Sequence, residues 1–221
     1  MQKKRKRSSI FVGSIVIMLA VFGIVAIIVS VTSGFVRKAQ LKENESYAEY
    51  EKLICSVIMN DPDTFDDITK ANMQQLISIS IWSILDSDLE PDTFEYTDSG
   101  MLIPQKAVAE KFSSLFGTEV KIVHSSADGG DGIEFSYSEN KKCYIIPITG
   151  ITPIYTPKIL DAKEKSGSVV LTVGYLASTD WQQDSKGNMV PPEPGKIMKI
   201  TLGKNADDTY YVRAIQNEMA D

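Results

Sequence analysis

The stretch from Ile10 to Thr32 constrains this chain most, because it is apolar and contains no charged residue. A helix rises about 1.5 Å per residue, so this stretch would be about 35 Å long, against a bilayer hydrocarbon core of about 30 Å. The sequence therefore predicts a transmembrane helix over residues 10–32. We expect its apolar side chains to anchor the chain in lipid, among them Ile10, Phe11, Val16, Leu19, Phe22, Ile27 and Val31.

Basic residues flank this stretch unequally, and the imbalance predicts its orientation. Only Arg37 and Lys38 follow it closely, whereas five basic residues precede it, at Lys3, Lys4, Arg5, Lys6 and Arg7. The cytoplasmic flank of a membrane helix usually carries the excess of lysine and arginine. We therefore expect a cytoplasmic basic tail at residues 1–9, a juxtamembrane linker at residues 33–43 and an extracytoplasmic domain at residues 44–221 in the cell membrane.

A cleavable signal peptide is the alternative, since it also places an apolar run after a basic region. The apolar region of a signal peptide spans about 7 to 15 residues, and the run here is longer and has no A-x-A ending. Val31 and Ser33 could still serve as a weak cleavage pair before Gly34. The sequence favours an uncleaved anchor and leaves cleavage open.

The charge of the chain is also unevenly distributed. All 29 acidic residues lie beyond residue 38, together with 16 of the 23 basic residues, so residues 39–221 carry a formal charge of −13. Such a domain repels the phosphate backbone of nucleic acids. We therefore exclude nucleic acid as a partner and expect one globular domain outside the membrane.

Two segments beyond the linker have the apolar spacing of helices. The stronger one runs from Phe65 to Leu85, and we expect a capping box of Thr64 and Asp67 to begin it. The acidic cluster at Asp61, Asp63, Asp66 and Asp67 fits helix capping better than calcium binding, because it lacks the glycine and the glutamate of an EF-hand loop. The other segment has its apolar face at Tyr47, Tyr50, Ile54, Val57 and Ile58.

A third helix is expected from Pro104, at its first position, to Phe116, with Gly117 ending it. Beyond Gly117 the apolar period changes from about 3.6 to 2, which predicts strands. Prolines at positions 147, 153 and 157 restrict that stretch to edge strands, bulges or loops. The predicted strands cover residues 120–124, 133–137, 143–148, 168–178, 197–202 and 209–215, with 168–178 central. The predicted fold is α+β: about three helices packed on a curved antiparallel sheet of five or six strands.

Few residues of this sequence could support catalysis. His124 is the only histidine, and no serine, glycine-rich or metal-binding motif of a known enzyme class accompanies it. We expect His124 to be an ordinary surface or strand-end residue, and we expect no cofactor and no metal. Cys55 and Cys143 could form a disulfide if their helix and strand meet, or remain free thiols. Trp82, Tyr137 and Tyr175 are the candidates for core anchors or for the lining of a pocket.

The segment PPEPG, at residues 191–195, has two interpretations. It could adopt a polyproline II conformation and dock into an aromatic groove of a partner. A loop between two strands explains it equally well, and we favour the loop.

Two short motifs carry a resemblance to known proteins: Ile81, Trp82 and Leu85 in one helix, then Leu102 and Pro104 before Leu115, Phe116 and Gly117. With the order of elements behind one membrane span, they resemble the cone-shaped NTF2-like or cystatin-like domains of membrane-anchored extracytoplasmic proteins of Gram-positive bacteria. That class includes enzymes, binding modules and subunits of conjugative secretion machinery. No catalytic motif of the class matches this sequence.

The sequence thus predicts a non-enzymatic, single-pass membrane protein whose outer domain binds a protein partner or a small ligand. Its other partner is the lipid bilayer, and its oligomeric state is left open. One alternative is a structural subunit of a conjugation or secretion apparatus. A second is an enzyme that uses carboxylates in an NTF2-like pocket.

Overall fold

The computed structural model describes residues 45–87, 93–148 and 153–218. The expected transmembrane helix, its seven anchoring residues, the five basic residues before it and the linker lie outside this part of the chain. Within it, no helix is long and apolar enough to cross a membrane. Contacts group the described residues from Glu49 onward into one compact unit, and the contacts described below lie within that unit.

The described residues form an α+β structure with antiparallel sheets, which confirms the expected class. Helix α1 covers residues 45–60, α2 covers Met73–Leu85 and α3 covers Gln105–Phe116, with a short 3-10 helix at Ile68–Lys70 before α2. The prediction of three helices is therefore confirmed for this part of the chain.

Helix α2 begins eight residues later than the sequence predicted, because side chains cap two separate turns. Asp67 accepts a hydrogen bond from the Thr69 N–H at 2.8 Å and so begins the 3-10 helix. Asn72 then caps α2 through the Gln74 N–H. The expected capping box is wrong, and Phe65 instead pairs with Ile215 through two backbone hydrogen bonds of 2.8 and 2.9 Å.

Helix α3 ends as predicted at Gly117, which has a φ of 77° and donates to the Ser113 carbonyl. Its start differs by one residue from the prediction. Pro104 is the residue before the first turn, since it also closes a strand and pairs with Cys143.

Five strands form the first sheet. They are β1 (Glu95–Thr97), β2 (Gly100–Pro104), β3 (Ala127–Gly130), β4 (Ile133–Ser138) and β5 (Cys143–Ile146), in the antiparallel order β1-β2-β5-β4-β3. The strand expected at residues 120–124 is absent from this described segment. Side chains hold the segment instead, because Ser126 Oγ accepts from the Tyr137 N–H and His124 bonds Tyr144.

A second sheet follows, so the prediction of one curved sheet of five or six strands is wrong for the described residues. It contains β6 (Tyr155–Lys165), β7 (Ser168–Ala177), β10 (Lys196–Lys204) and β11 (Tyr210–Asn217), in the order β11-β10-β7-β6. A two-stranded hairpin, β8 (Gln182–Gln183) and β9 (Met189–Val190), lies between β7 and β10 in the sequence. Strand β7 is central as expected, and Pro157 lies in the edge strand β6, where a missing N–H costs least.

A different helix packs against each sheet. Helix α2 packs on the first sheet through a cluster that includes Trp82, Phe135 and Tyr144. Helix α1 lies along the second sheet: the Tyr50 ring meets the Tyr210 ring edge to face at 5.4 Å, and Glu51 accepts from the Ile159 N–H at 2.8 Å. Burial of the apolar faces is the main stabilising contribution of this packing.

Candidate functional site

Trp82 lies in the core of the first sheet, with only 5% of its surface exposed. Its indole Nε1 donates a hydrogen bond to the Gly129 carbonyl at 3.0 Å, and its ring meets Phe135 edge to face at 5.2 Å. Both the apolar ring and the N–H group of the indole therefore make their contacts within the protein.

Tyr175 lies on the inner face of β7, fully buried beneath a cation. The Nζ atom of Lys196 is 4.5 Å from the centre of the Tyr175 ring and 5.3 Å from that of Tyr155, and it pairs with Asp61. Burial raises the pKa of the Tyr175 hydroxyl, so the phenol stays neutral. This cluster joins the turn after α1 to the beginning of β10, because Asp61 follows the helix and Lys196 opens the strand.

Tyr137, the third residue considered for a pocket, stacks on His124 with ring centres 5.4 Å apart. Its hydroxyl donates to Gln105 Oε1 at 2.5 Å. Tyr137 therefore connects β4 to the first turn of α3 and lies half-buried at the rim of the first sheet.

His124 is half-buried in this aromatic cluster and lies at no strand end, so the prediction of an ordinary surface or strand-end residue is wrong. A hydrogen bond of 2.9 Å joins its Nδ1 to the Tyr144 hydroxyl. Burial lowers the pKa of His124, with a further contribution from the charge of Lys142. The neutral imidazole contacts two phenol rings, and these contacts order the rim. None of them is with a carboxylate that could orient the imidazole as a catalytic base.

The His124 cluster makes stability depend on pH in a predictable direction. Because the folded pKa of His124 is below its unfolded value of about 6.5, the unfolded chain binds the proton more readily. Its contribution to stability is therefore complete above about pH 6.5 and is lost as the pH falls below that value. Urea unfolding of the full chain between pH 7.5 and pH 5 measures the loss, and the variant His124→Gln is expected to show a smaller one. An equal loss in both proteins would contradict this role.

Three of the four acidic residues considered for a metal form other contacts with described residues through their carboxylates, and Asp63 is the exception. Asp61 pairs with Lys196, Asp66 pairs with Lys70, and Asp67 caps the 3-10 helix. Among the described residues, no group of three histidine, cysteine or acidic side chains is placed to hold a metal ion. Cys55 and Cys143 are both free thiols in this structure.

A cleft of about 590 Å³ lies beside the hairpin β8–β9. We name residues 179–193, which contain this hairpin, the arm. The cleft has three apolar or aromatic walls formed by Trp181, Val190 and the proline pair, together with polar and acidic groups. Its lining is Thr179, Asp180, Trp181, Gln182, Val190, Pro191, Pro192 and Glu193.

The base of the arm is fixed to the second sheet. The Gly195 N–H donates to the Tyr175 carbonyl at 2.9 Å, and Pro194 packs over Gly174, where a Cβ atom would lie 2.8 Å from the proline ring. At the tip, Asp184 accepts hydrogen bonds from the side-chain amide of Asn188 and from the backbone N–H groups of Asn188 and Lys186, and these bonds lower its pKa. The arm is thus a supported element on which Trp181 is held half-buried.

Sequence reasoning found the loop in this region but missed the cleft. The segment PPEPG by itself indicates only a loop, and the signal for the cleft is the indole of Trp181, just after a long strand. Comparison of the chain with protein-family models, curated proteins and solved structures found no match.

Proposed function

We propose that this chain is a single-pass membrane protein whose globular domain lies on the extracytoplasmic side of the cell membrane and binds a protein partner or a small ligand without catalysing a reaction. Residues 1–9 form the cytoplasmic tail, residues 10–32 the transmembrane helix and residues 33–43 the linker. The observation that carries the proposal is the uncharged stretch from Ile10 to Thr32, with five basic residues before it and two soon after it.

The energetics of insertion support the anchor. A single charged residue at the centre of a membrane helix costs about 2.5–3.5 kcal/mol, and this stretch has none. The basic tail adds about 1 kcal/mol of attraction to anionic headgroups for each lysine or arginine near the surface. The first effect favours retention in the membrane, and the second favours an N-terminus on the cytoplasmic side.

The NTF2-like or cystatin-like character of the domain is part of this proposal. The order of helix, helix, β-hairpin, helix and then strands supports it, as does the position of Trp82 on the helix before the hairpin. The division of the strands between two sheets is a departure from one continuous cone.

A binding role is favoured over catalysis by what the described side chains do. The single histidine of the chain is held between Tyr137 and Tyr144, and Asp61 is held by Lys196. The arm, in contrast, presents an open cleft with aromatic, apolar and acidic groups together. Such a mixture of an apolar wall with a few polar groups is typical of recognition sites.

Membrane extraction of the full chain tests this proposal. After expression in cells, membranes washed with alkaline carbonate are expected to retain the protein, and detergent is expected to release it. Intact mass should correspond to residues 1–221. Release by carbonate, or a mass that begins near Gly34, would contradict the uncleaved anchor and favour the signal peptide.

A further inference from the structure

The arm exposes two large apolar side chains to solvent. Met189 is 59% exposed, and Val190, which lines the cleft together with the half-buried Trp181, is 43% exposed. Exposed apolar groups that adjoin an aromatic ring in a cleft are typical of sites that bind another molecule. The chemistry of the cleft indicates which kind of molecule.

The cleft carries an uncompensated negative charge. Asp180 and Glu193 are exposed on its walls, no basic residue lines it, and neither acid forms an ion pair within the described part of the chain. Thr179 donates one hydrogen bond to Asp180, which leaves the charge of the carboxylate unpaired. The formal charge of −13 over residues 39–221 adds a long-range field of the same sign.

The indole of Trp181 makes this negative cleft selective for an organic cation. The face of tryptophan attracts ammonium and guanidinium groups more strongly than other aromatic rings do, and two carboxylates beside it reinforce the attraction. The same combination of an aromatic ring and a carboxylate already binds a lysine inside this protein, where Lys196 lies over Tyr175 and pairs with Asp61.

The shape of the arm favours an extended chain as the bearer of that cation. Strands β8 and β9 pair only with each other among the described strands, so their outer edges are available for strand addition. No hydrogen bond joins the indole N–H of Trp181 or the side-chain amide of Gln182 to the described residues. Both groups can therefore bond a peptide backbone. Pro191 and Pro192 form a stiff apolar wall beside them.

We propose that the arm cleft binds an extended peptide segment of a partner protein that carries a lysine or arginine beside an apolar residue. The cation lies over Trp181 between Asp180 and Glu193, and the apolar neighbour contacts Val190 and the two prolines. This inference rests on the proposed binding function and names the class of partner for it.

Binding of two matched synthetic peptides to the full chain tests the inference. The chain is placed in nanodiscs of phosphatidylcholine, which is neutral overall, and the probes are labelled peptides of alternating lysine and valine or of alternating glutamate and valine. Fluorescence polarisation should detect saturable binding of the basic peptide only. Quenching of the fluorescence of the half-buried Trp181, with the fluorescence of the buried Trp82 unchanged, should locate the bound peptide at the arm cleft.

Variants of the cleft make the test specific. The double variant Asp180→Asn, Glu193→Gln is expected to weaken binding about tenfold, since it removes two charge contacts. Trp181→Ala should weaken it by a similar factor, and Trp181→Phe by about threefold. Glu139→Gln, which removes one charge from the exposed turn between β4 and β5, is the control and should leave the affinity unchanged.

Three outcomes would overturn the inference: no binding of the basic peptide, equal binding of the acidic peptide, or the same loss of affinity in the control as in the double variant. Quenching of Trp181 by a neutral oligosaccharide of N-acetylglucosamine, without binding of the basic peptide, would assign the cleft to a glycan. None of these outcomes changes the carbonate extraction, so the membrane proposal is tested separately.

Discussion

Replacing Trp82 with alanine is expected to lower the free energy of unfolding by about 4 kcal/mol, the largest effect among the substitutions considered. The indole is 95% buried between α2 and the first sheet, so its removal leaves a cavity. It also leaves the buried Gly129 carbonyl without the hydrogen bond from Nε1. Urea unfolding of the full chain, followed by circular dichroism, measures the change.

The conservative variant Trp82→Phe separates these two contributions. It keeps a ring against Phe135 but loses the donor to Gly129, so we expect a loss of about 2 kcal/mol. A loss below about 1 kcal/mol in Trp82→Ala would contradict the place of Trp82 in the core.

Gly100→Ala is expected to lower the free energy of unfolding by about 3 kcal/mol, for a reason that lies in the backbone. Gly100 opens β2 with a φ of 130°, a conformation that residues with a side chain rarely adopt. A Cβ atom there would lie 2.1 Å from the Ile146 carbonyl oxygen, so β2 and β5 would have to separate. The same unfolding experiment measures the cost.

Gly132→Ala is the matched control for this prediction. Gly132 also has a positive φ, of 77°, but a Cβ atom there would meet nothing within 4 Å. We therefore expect a cost of only about 1 kcal/mol, from the left-handed backbone alone. Equal losses in the two variants would show that contact with Ile146 does not limit the space at Gly100.

The spacing of apolar residues predicted the helices and the central strand well, because that spacing follows directly from which side chains are buried. The apolar face of α1 at Ile54, Val57 and Ile58 is fully buried, and β7 alternates as expected along most of its length. The predicted start of α2 was wrong because the true start depends on two side-chain hydrogen bonds, those of Asp67 and Asn72. The spacing of apolar residues does not encode these bonds.

The division into two sheets could not be predicted, since it depends on which strands pair over long distances. Strand β2 pairs with β5, across the whole of α3, and β10 pairs with β7 across the arm. Alternation in a sequence specifies which face of a strand is buried, but not its neighbour. The rim at His124 was missed for the same reason, because Tyr137 and Tyr144 reach it only after β4 and β5 have paired.

The arm cleft is a further feature that the sequence only partly indicated. Its prolines were visible as a loop, whereas the approach of Trp181 to Val190 and Pro192 depends on the hairpin β8–β9, whose strands are two residues each. Strands this short carry almost no periodic signal.

Cysteine accessibility in intact cells tests the membrane orientation most directly. In a background with Cys55→Ser and Cys143→Ser, one variant carries Lys186→Cys at the exposed tip of the arm and another carries Gln2→Cys in the basic tail. A membrane-impermeant maleimide is expected to label the first variant in intact cells and the second only after permeabilisation. Labelling of the tail with protection of the arm would contradict the proposed orientation.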